Sequence, residues 1–525
     1  MRQVGAIILS LLVLALAGCP KRGFNLASPD GILDGSGATP APVATPVPRP
    51  EIQPTPFTLP LKARAMTLKP VSLPASGETE LALEATEAIL VLSRTGEVPS
   101  TFEYAFEGAT AATTGMPRLQ SLPQPPGPAC GTFEQLLPSK GLVPQNSSFR
   151  ALRATYDPPK LGARRELYVR SVPVWAVCVA VGTHGAIWID ERDQWRFSSL
   201  TLSRLATDFD RLFPGITEQY GAGPSGRSDG YNWGDDRVNV VISQQVPAEY
   251  GGYVEPLDFF PDSFTSKEYG MRSNYGKVLY LNAIFGSAHL LNTLVHEYVH
   301  IVFYGRRLEV YSRHHSEGLP LGQDSSYFGK VDQSERWLNE GMAVLSEYLF
   351  GASPDQTYRT YLQRYLETPT AFDMADFLRQ AEADGPNYGG ALLFSAFAHA
   401  RHPGFVREVQ LAEGVSTAAV DEVLWRDLQA GFPEVYRDFA VSLLLDGYHP
   451  DVPAAYRIPY VDVVGGFGGA AMETAPQGRV PPRSNGVRFI HVTFTEGRGV
   501  LRVKDAGTMK AVLLLVTPAA APEIR

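Results

Sequence analysis

Apolar residues change their spacing along this chain, and each change predicts a different kind of element. From Pro20 to about Pro74 there is no apolar period; Pro, Ala, Thr and Gly dominate, as in Thr39-Pro40-Ala41-Pro42. Such a stretch buries too little apolar area to offset chain entropy, so residues 20–76 are expected to form a disordered tether. From Gly77 onward short β-prone runs alternate with turn residues, at 88–92, 167–170, 172–181 and 186–190. They predict a β-rich domain over 77–190, interrupted by a loop at 117–128. Near residue 200 the spacing becomes helical. Residues 202–213 predict a helix that ends before Pro214-Gly215, and strands are expected at 237–243 and 277–284. Residues 287–304 predict an apolar helix ending at Gly305; 336–350 predict another, stopped by Gly351; 391–399 belong to a third. After about 455, Gly and Pro return. Strand-like runs at 487–493, 499–504 and 509–516 then predict a small C-terminal β unit over 456–525.

The 525 residues, 44% of them hydrophobic, suffice for two to four domains. Strands at both ends and helices between them make the expected fold class α+β. A net charge of -9 with no long basic block excludes nucleic acid as a partner class. Residues 1–19 read as an export signal: Met1-Arg2 gives a positive start, 7–16 an apolar core, and Ala15, Ala17 and Gly18 small residues at its end. The apolar core is short for a membrane span. Ala15-Leu16-Ala17 fits ordinary secretion. Leu16-Ala17-Gly18-Cys19 resembles a bacterial lipobox, in which Cys19 carries lipid, and the Pro-rich stretch behind it favours that reading. The expected location is then a bacterial outer membrane or cell surface, or otherwise the medium. Cys130 and Cys178 remain. An oxidising compartment allows them to pair; two separate buried thiols are the alternative.

The candidate chemistry lies at 296–300, which reads His-Glu-Tyr-Val-His. Two His four apart on a helix share a face and stand about one turn apart. Both imidazoles can bind one zinc ion, while Glu297, one position along, can meet water on that ion without being a ligand. Zinc lowers the pKa of such water to about 7, and Glu297 takes the proton as the water attacks a carbonyl. The setting is apolar: Leu290, Leu291, Leu294, Val295, Val299, Ile301 and Val302 surround the pair. Polar groups in so apolar a helix need a metal or hydrogen-bond partners, so a core helix with two hydrogen-bonded His is the competing reading. For a third ligand the strongest candidate is Glu340, in Trp337-Leu338-Asn339-Glu340-Gly341-Met342-Ala343. An acid in the first turn of a helix also complements the dipole with no metal present.

His-Glu-x-x-His followed by a helix carrying Asn-Glu-Gly-x-Ala resembles the gluzincin metallopeptidases, and among them the hyicolysin-type peptidases of secreted bacterial enzymes. The resemblance covers about residues 170–400. It implies Glu340 as third ligand, one Zn2+ per chain, and a metallopeptidase domain over 191–455, with a sheet over the motif helix, then a mainly helical lobe, and zinc in the cleft between them. It also implies that residues 278–282 are the edge strand that holds an extended substrate. Trp188-Ile189-Asp190, and 238–242 followed by Gly251-Gly252-Tyr253, share in the likeness. Glu347, seven residues after Glu340 on the same helix face, is read either as a hydrogen-bond partner of a ligand His or as a solvated surface acid. Tyr388 opens another helix; related enzymes place a Tyr or His in such a region to stabilise the oxyanion, and a packing aromatic is the other reading. One departure from the family is the spacing of 39 residues between His300 and Glu340, longer than in compact gluzincins. His314, His315, Glu317 and Asp332 within it are conceivable ligands, but a loop flanking the cleft is the simpler role. The string Gly226-Arg227-Ser228-Asp229-Gly230 matches a serine elbow, without the strand before it or the helix after it that an elbow needs.

The expected function is a zinc metallopeptidase, read as an endopeptidase, that acts on peptide or protein substrates and is held to a bacterial envelope by an N-terminal lipid. Two other readings stand beside it: a catalytically silent surface lipoprotein on a peptidase fold, and a zinc amidase acting on cell-wall peptide.

Overall fold

Among the described residues, strands come first and last and helices lie between them. The computed structural model describes residues 58–61, 64–71, 77–95, 102–112, 157–224, 235–248, 250–268, 270–314, 325–351, 356–369, 384–445, 452–458, 470–480, 486–504 and 509–518. The export signal with Cys19, the tether as far as residue 57, Cys130, the run 226–230, His315 and Glu317 lie outside the described residues.

Among the described residues six strands come first: β1 (Thr58–Leu61), β2 (Arg64–Val71), β3 (Glu78–Glu84), β4 (Glu87–Ser93), β5 (Phe102–Glu107) and β6 (Ala109–Ala111). Next are β7 (Arg164–Val169), β8 (Val172–Val181), β9 (Gly185–Asp190), α1 (Ser199–Tyr220), β10 (Val238–Ser243), β11 (Gly252–Val254), α2 (Asp262–Glu268) and β12 (Val278–Asn282). Among the described residues seven helices follow: α3 (Ser287–His314), α4 (Ser325–Phe350), α5 (Gln356–Glu367), α6 (Asp384–Arg401), α7 (Phe405–Glu408), α8 (Thr417–Leu428) and α9 (Phe432–Leu445). The last strands are β13 (Gln477–Val480), β14 (Val487–Phe494), β15 (Arg498–Lys504) and β16 (Lys510–Pro518). The class is mixed α+β.

The first six and last four strands interleave in two antiparallel sheets, ordered β1-β2-β16-β4-β14-β6 and β13-β5-β15-β3. The expected separation of 77–190 from 456–525 is therefore corrected. β16 lies between β2 and β4, so each end of the chain supplies the hydrogen-bonding edge that the other lacks. Leu90, Phe102, Phe106, Val492, Leu501 and Leu513 pack between the two sheets. Ile89, Val91, Phe489 and Leu514 face the opposite way, into the main core. A strand buried on both faces reads as a continuous apolar run, which is why 88–92 shows no alternation. The tether is shortened as well, since β1 and β2 belong to this sheet.

A third sheet runs β11-β12-β10-β9-β8-β7. Its centre (β9, β10 and β12) is parallel, and the pairs β11–β12, β8–β9 and β7–β8 are antiparallel. Residues 164–190 thus extend the sheet beside the motif helix rather than a separate N-terminal domain. On one face Ile187, Val240 and Leu279 meet Phe209 of α1 and Leu294 of α3. On the other lie Trp188, Val241, Tyr253 and Tyr280. Cys178 sits in this second layer as a free, buried thiol, 3.7 Å from the Ala180 carbonyl, in keeping with the alternative of separate thiols; Cys130 lies outside the described residues. Burial pushes the Cys178 thiol up to about 11.

Three helix limits differ from expectation, each because packing overrides a local breaker. α1 runs through Pro214, at a cost of ~3 kcal/mol in a helix interior. Burial of Ile216 and Tyr220 beyond it outweighs this, with the Tyr220 hydroxyl donating to the Met342 carbonyl at 3.0 Å. α3 runs through Gly305 to His314. A Cβ there would lie 2.3 Å from Pro224 Cδ, so the glycine serves a close approach and not a helix end. α4 starts at Ser325. Helices therefore carry most of the His300–Glu340 segment that was expected to be a flanking loop; His314 ends α3 and Asp332 falls within α4. A fully buried ion pair joins them, Arg307 to Glu335, and Arg307 also donates to the carbonyls of Ala412 (2.6 Å) and Gly414 (2.8 Å).

Candidate metal centre

The site is built by two helices and one short strand. α3 is apolar on all sides because sheet and helices cover it, so its polar residues are buried with it. His296 and His300 lie one turn apart, 2% and 5% exposed, with ring centroids 4.8 Å apart. α4 brings Glu340 to both of them. Its Oε2 is 3.4 Å from His296 Nε2 and 3.6 Å from His300 Nε2. Its Oε1 is turned toward Arg336 Nε, at 3.9 Å.

The far ring nitrogens are fixed as well. Glu347 Oε1 is 2.6 Å from His296 Nδ1, and Asn339 Oδ1 is 2.9 Å from His300 Nδ1. A carboxylate or amide oxygen only accepts, so both Nδ1 atoms carry the proton and both Nε2 lone pairs point toward Glu340. Partners of this kind hold ligand imidazoles in register. Glu347 is buried, which removes the reading as a solvated acid. Asn339 was missed in the sequence, although it stands directly before Glu340; its only signal was that position.

Electrostatics couple the three groups. Burial alone would raise the Glu340 carboxyl, but the facing His300 and His296 outweigh it and hold it well below the usual carboxylate range. Burial alone would lower the His300 imidazole; the Glu340 carboxylate reverses this and raises it. The two rings thus keep the carboxylate ionised where an ion would sit. His300 Nε2 and Glu340 Oε2 are buried atoms with no hydrogen-bond partner, a state that costs roughly 1–3 kcal/mol per group. The three ligand atoms lie within 4.8 Å of one another. The donor set, its burial and these two atoms fit a divalent metal ion.

Glu297, next to His296, is fully buried. Its stem touches β11: a Cβ on Gly252 would lie 3.0 Å from Glu297 Cγ and 2.7 Å from the Tyr280 carbonyl oxygen. β11 is the edge strand on this side, and β12, expected to be that edge, is covered by it. Asn282 N–H donates to the Gly251 carbonyl (2.9 Å), a register that turns the N–H and C=O of Gly252 and Val254 away from β12. The Gly251-Gly252-Tyr253 run, and not 278–282, therefore marks the edge. Tyr388 is buried at the start of α6, its ring stacked on Tyr361 with centroids 5.8 Å apart.

No protein-family model matches the chain, and a search of curated proteins finds no match.

Proposed function

We propose that this chain is a zinc-dependent peptidase of the gluzincin type. The observation that carries this reading is the convergence of two buried imidazole Nε2 atoms on one Glu340 oxygen, at 3.4 and 3.6 Å. Two imidazoles and a carboxylate suit zinc among the divalent ions. Zinc held by His296, His300 and Glu340 would polarise a peptide carbonyl and make water beside it more acidic. Glu297 then accepts the proton of the attacking water and passes it to the departing amine nitrogen, so that the C–N bond breaks and a neutral amine leaves. The outward backbone groups of Gly252 and Val254 suit a substrate that adds as an extended strand beside Glu297. The mixed α+β class is compatible with this reading.

The test is metal content and casein cleavage by the full chain and its Glu297→Gln variant. Glu297→Gln should keep the parent's zinc and lose about 10²–10⁴-fold in kcat. Zinc in both with no cleavage in either would favour the silent binding lipoprotein or the cell-wall amidase. Absence of zinc from the parent would sink the reading. Tyr388→Phe separates the two roles weighed for that residue, since loss of an oxyanion donor lowers kcat by about 10²–10³-fold and loss of a hydroxyl on a packing ring does not. Envelope attachment through Cys19 is part of the proposal; Cys19→Ala should release the protein from the membrane fraction.

A further inference from the structure

The helical lobe carries a second convergence of ligand-type atoms, on elements other than the motif helices. His402 follows the end of α6, Glu408 ends α7, and Asp427 lies in the last turn of α8. His402 Nε2 is 3.2 Å from Glu408 Oε2 and 2.9 Å from Asp427 Oδ2. We propose that His402, Glu408 and Asp427 form a second divalent-metal site that clamps the ends of these three helices together.

Ligands at about 2.0–2.2 Å from one ion stand roughly 2.9–3.4 Å from each other, whether octahedral or tetrahedral. Both distances fall in that range. They would also suit hydrogen bonds, yet His402 Nε2 is a buried atom that meets hydrogen-bond geometry with neither oxygen. Neither carboxylate oxygen therefore lies on the donor axis of the ring. They flank it, as co-ligands flank the line from a nitrogen to its metal. The imidazole is well enclosed, 14% exposed. His399, one turn earlier on α6, is buried with its Nδ1 unpartnered.

Arg426 is the present counter-charge. It pairs with Glu408 and, through Nε at 3.1 Å, with Asp427. Its side chain is 54% exposed, so it can swing into solvent and leave both carboxylates to an ion. A cavity of about 390 Å³ opens beside them, lined by Leu411, Ala412, Glu422 and Arg426 together with Glu408 and Asp427. It leaves room for water to complete the coordination. One imidazole and two carboxylates suit zinc or manganese, and zinc is the probe here.

The full chain, stripped with chelator and titrated with zinc, should take up two ions. His296→Ala/His300→Ala should keep one, and adding His402→Ala should leave none. Zinc should raise the Tm of the double variant by a few degrees, and Asp427→Asn in that background should abolish the rise. Asp427→Asn is conservative and half-exposed, so it decides the matter if the His402 variant fails to fold. Arg426→Ala should bind zinc more tightly. The proposal is overturned if the double variant binds no zinc, or if its ion survives both His402→Ala and Asp427→Asn. Zinc bound only in a His402-dependent manner would support this site and sink the first one.

Discussion

At the residue scale, the motif was legible because its geometry is local. Positions 296, 297 and 300 face as they do on any helix. Glu347 was visible only as a phase relation along α4, and Asn339 carried no periodic signal, because its partner His300 is 39 positions away and is reached only by packing α3 on α4. Glu347→Ala or Asn339→Ala should lower zinc affinity by about 10–100-fold, read by competition with a chelator. Gly252 makes a separate prediction. A methyl group there meets the Tyr280 carbonyl and the Glu297 stem, so Gly252→Ala should displace the base while leaving the ligands in place. A displacement near 1 Å costs about 10²-fold in rate, so kcat should fall by that order with zinc content unchanged. A variant that lost zinc and activity together would show that β11 supports the ligands rather than the base.

At the element scale, strands were read well and helix ends poorly. Residues 172–181 form β8 as the run suggested, because β-prone runs between turn residues leave few other choices. Pro214 and Gly305 misled because local breakers compete with burial that single-chain periodicity does not contain. The extension of α3 and α4 also rests on Arg307 and Glu335, whose charges are invisible as a pair in the sequence. Removing one member leaves the other charge buried and unpaired. Arg307→Ala should therefore destabilise the protein by roughly 3–5 kcal/mol, measured as a shift in denaturant midpoint. Arg307→Met with Glu335→Leu should recover most of that loss. A single variant within 1 kcal/mol of the parent would mean that water reaches the pair.

At the scale of the whole molecule, the sequence suggested a linear series of units, and the pairings make the two ends one structure. Composition cannot show which strand pairs with which, so this partition was beyond reading. Deleting residues 477–525 should remove β13–β16 and leave an insoluble chain rather than a shorter folded one. Global stability should also depend on Asp258, which is buried under the Tyr280 hydroxyl and the Asn274 N–H. Burial pushes its carboxyl up to about 7. Its unfolded value is about 4. The folded state therefore holds this proton longer: stability is full below about pH 4, falls as pH rises toward 7, and levels off above it. Asp258→Asn should flatten that part of the curve and exceed the parent at pH 8, by a denaturant series from pH 4 to 8. The position of β16 also sets a timetable. The Thr86 hydroxyl donates to the Val516 carbonyl, 430 residues later. At about 5–20 residues per second, β2 and β4 leave the ribosome roughly 20–90 s before the strand that must lie between them. For that interval the edges of β4 stay unpaired, open to any other nascent chain, so the exposure ends with the arrival of β16 and not with the folding of the N-terminal strands.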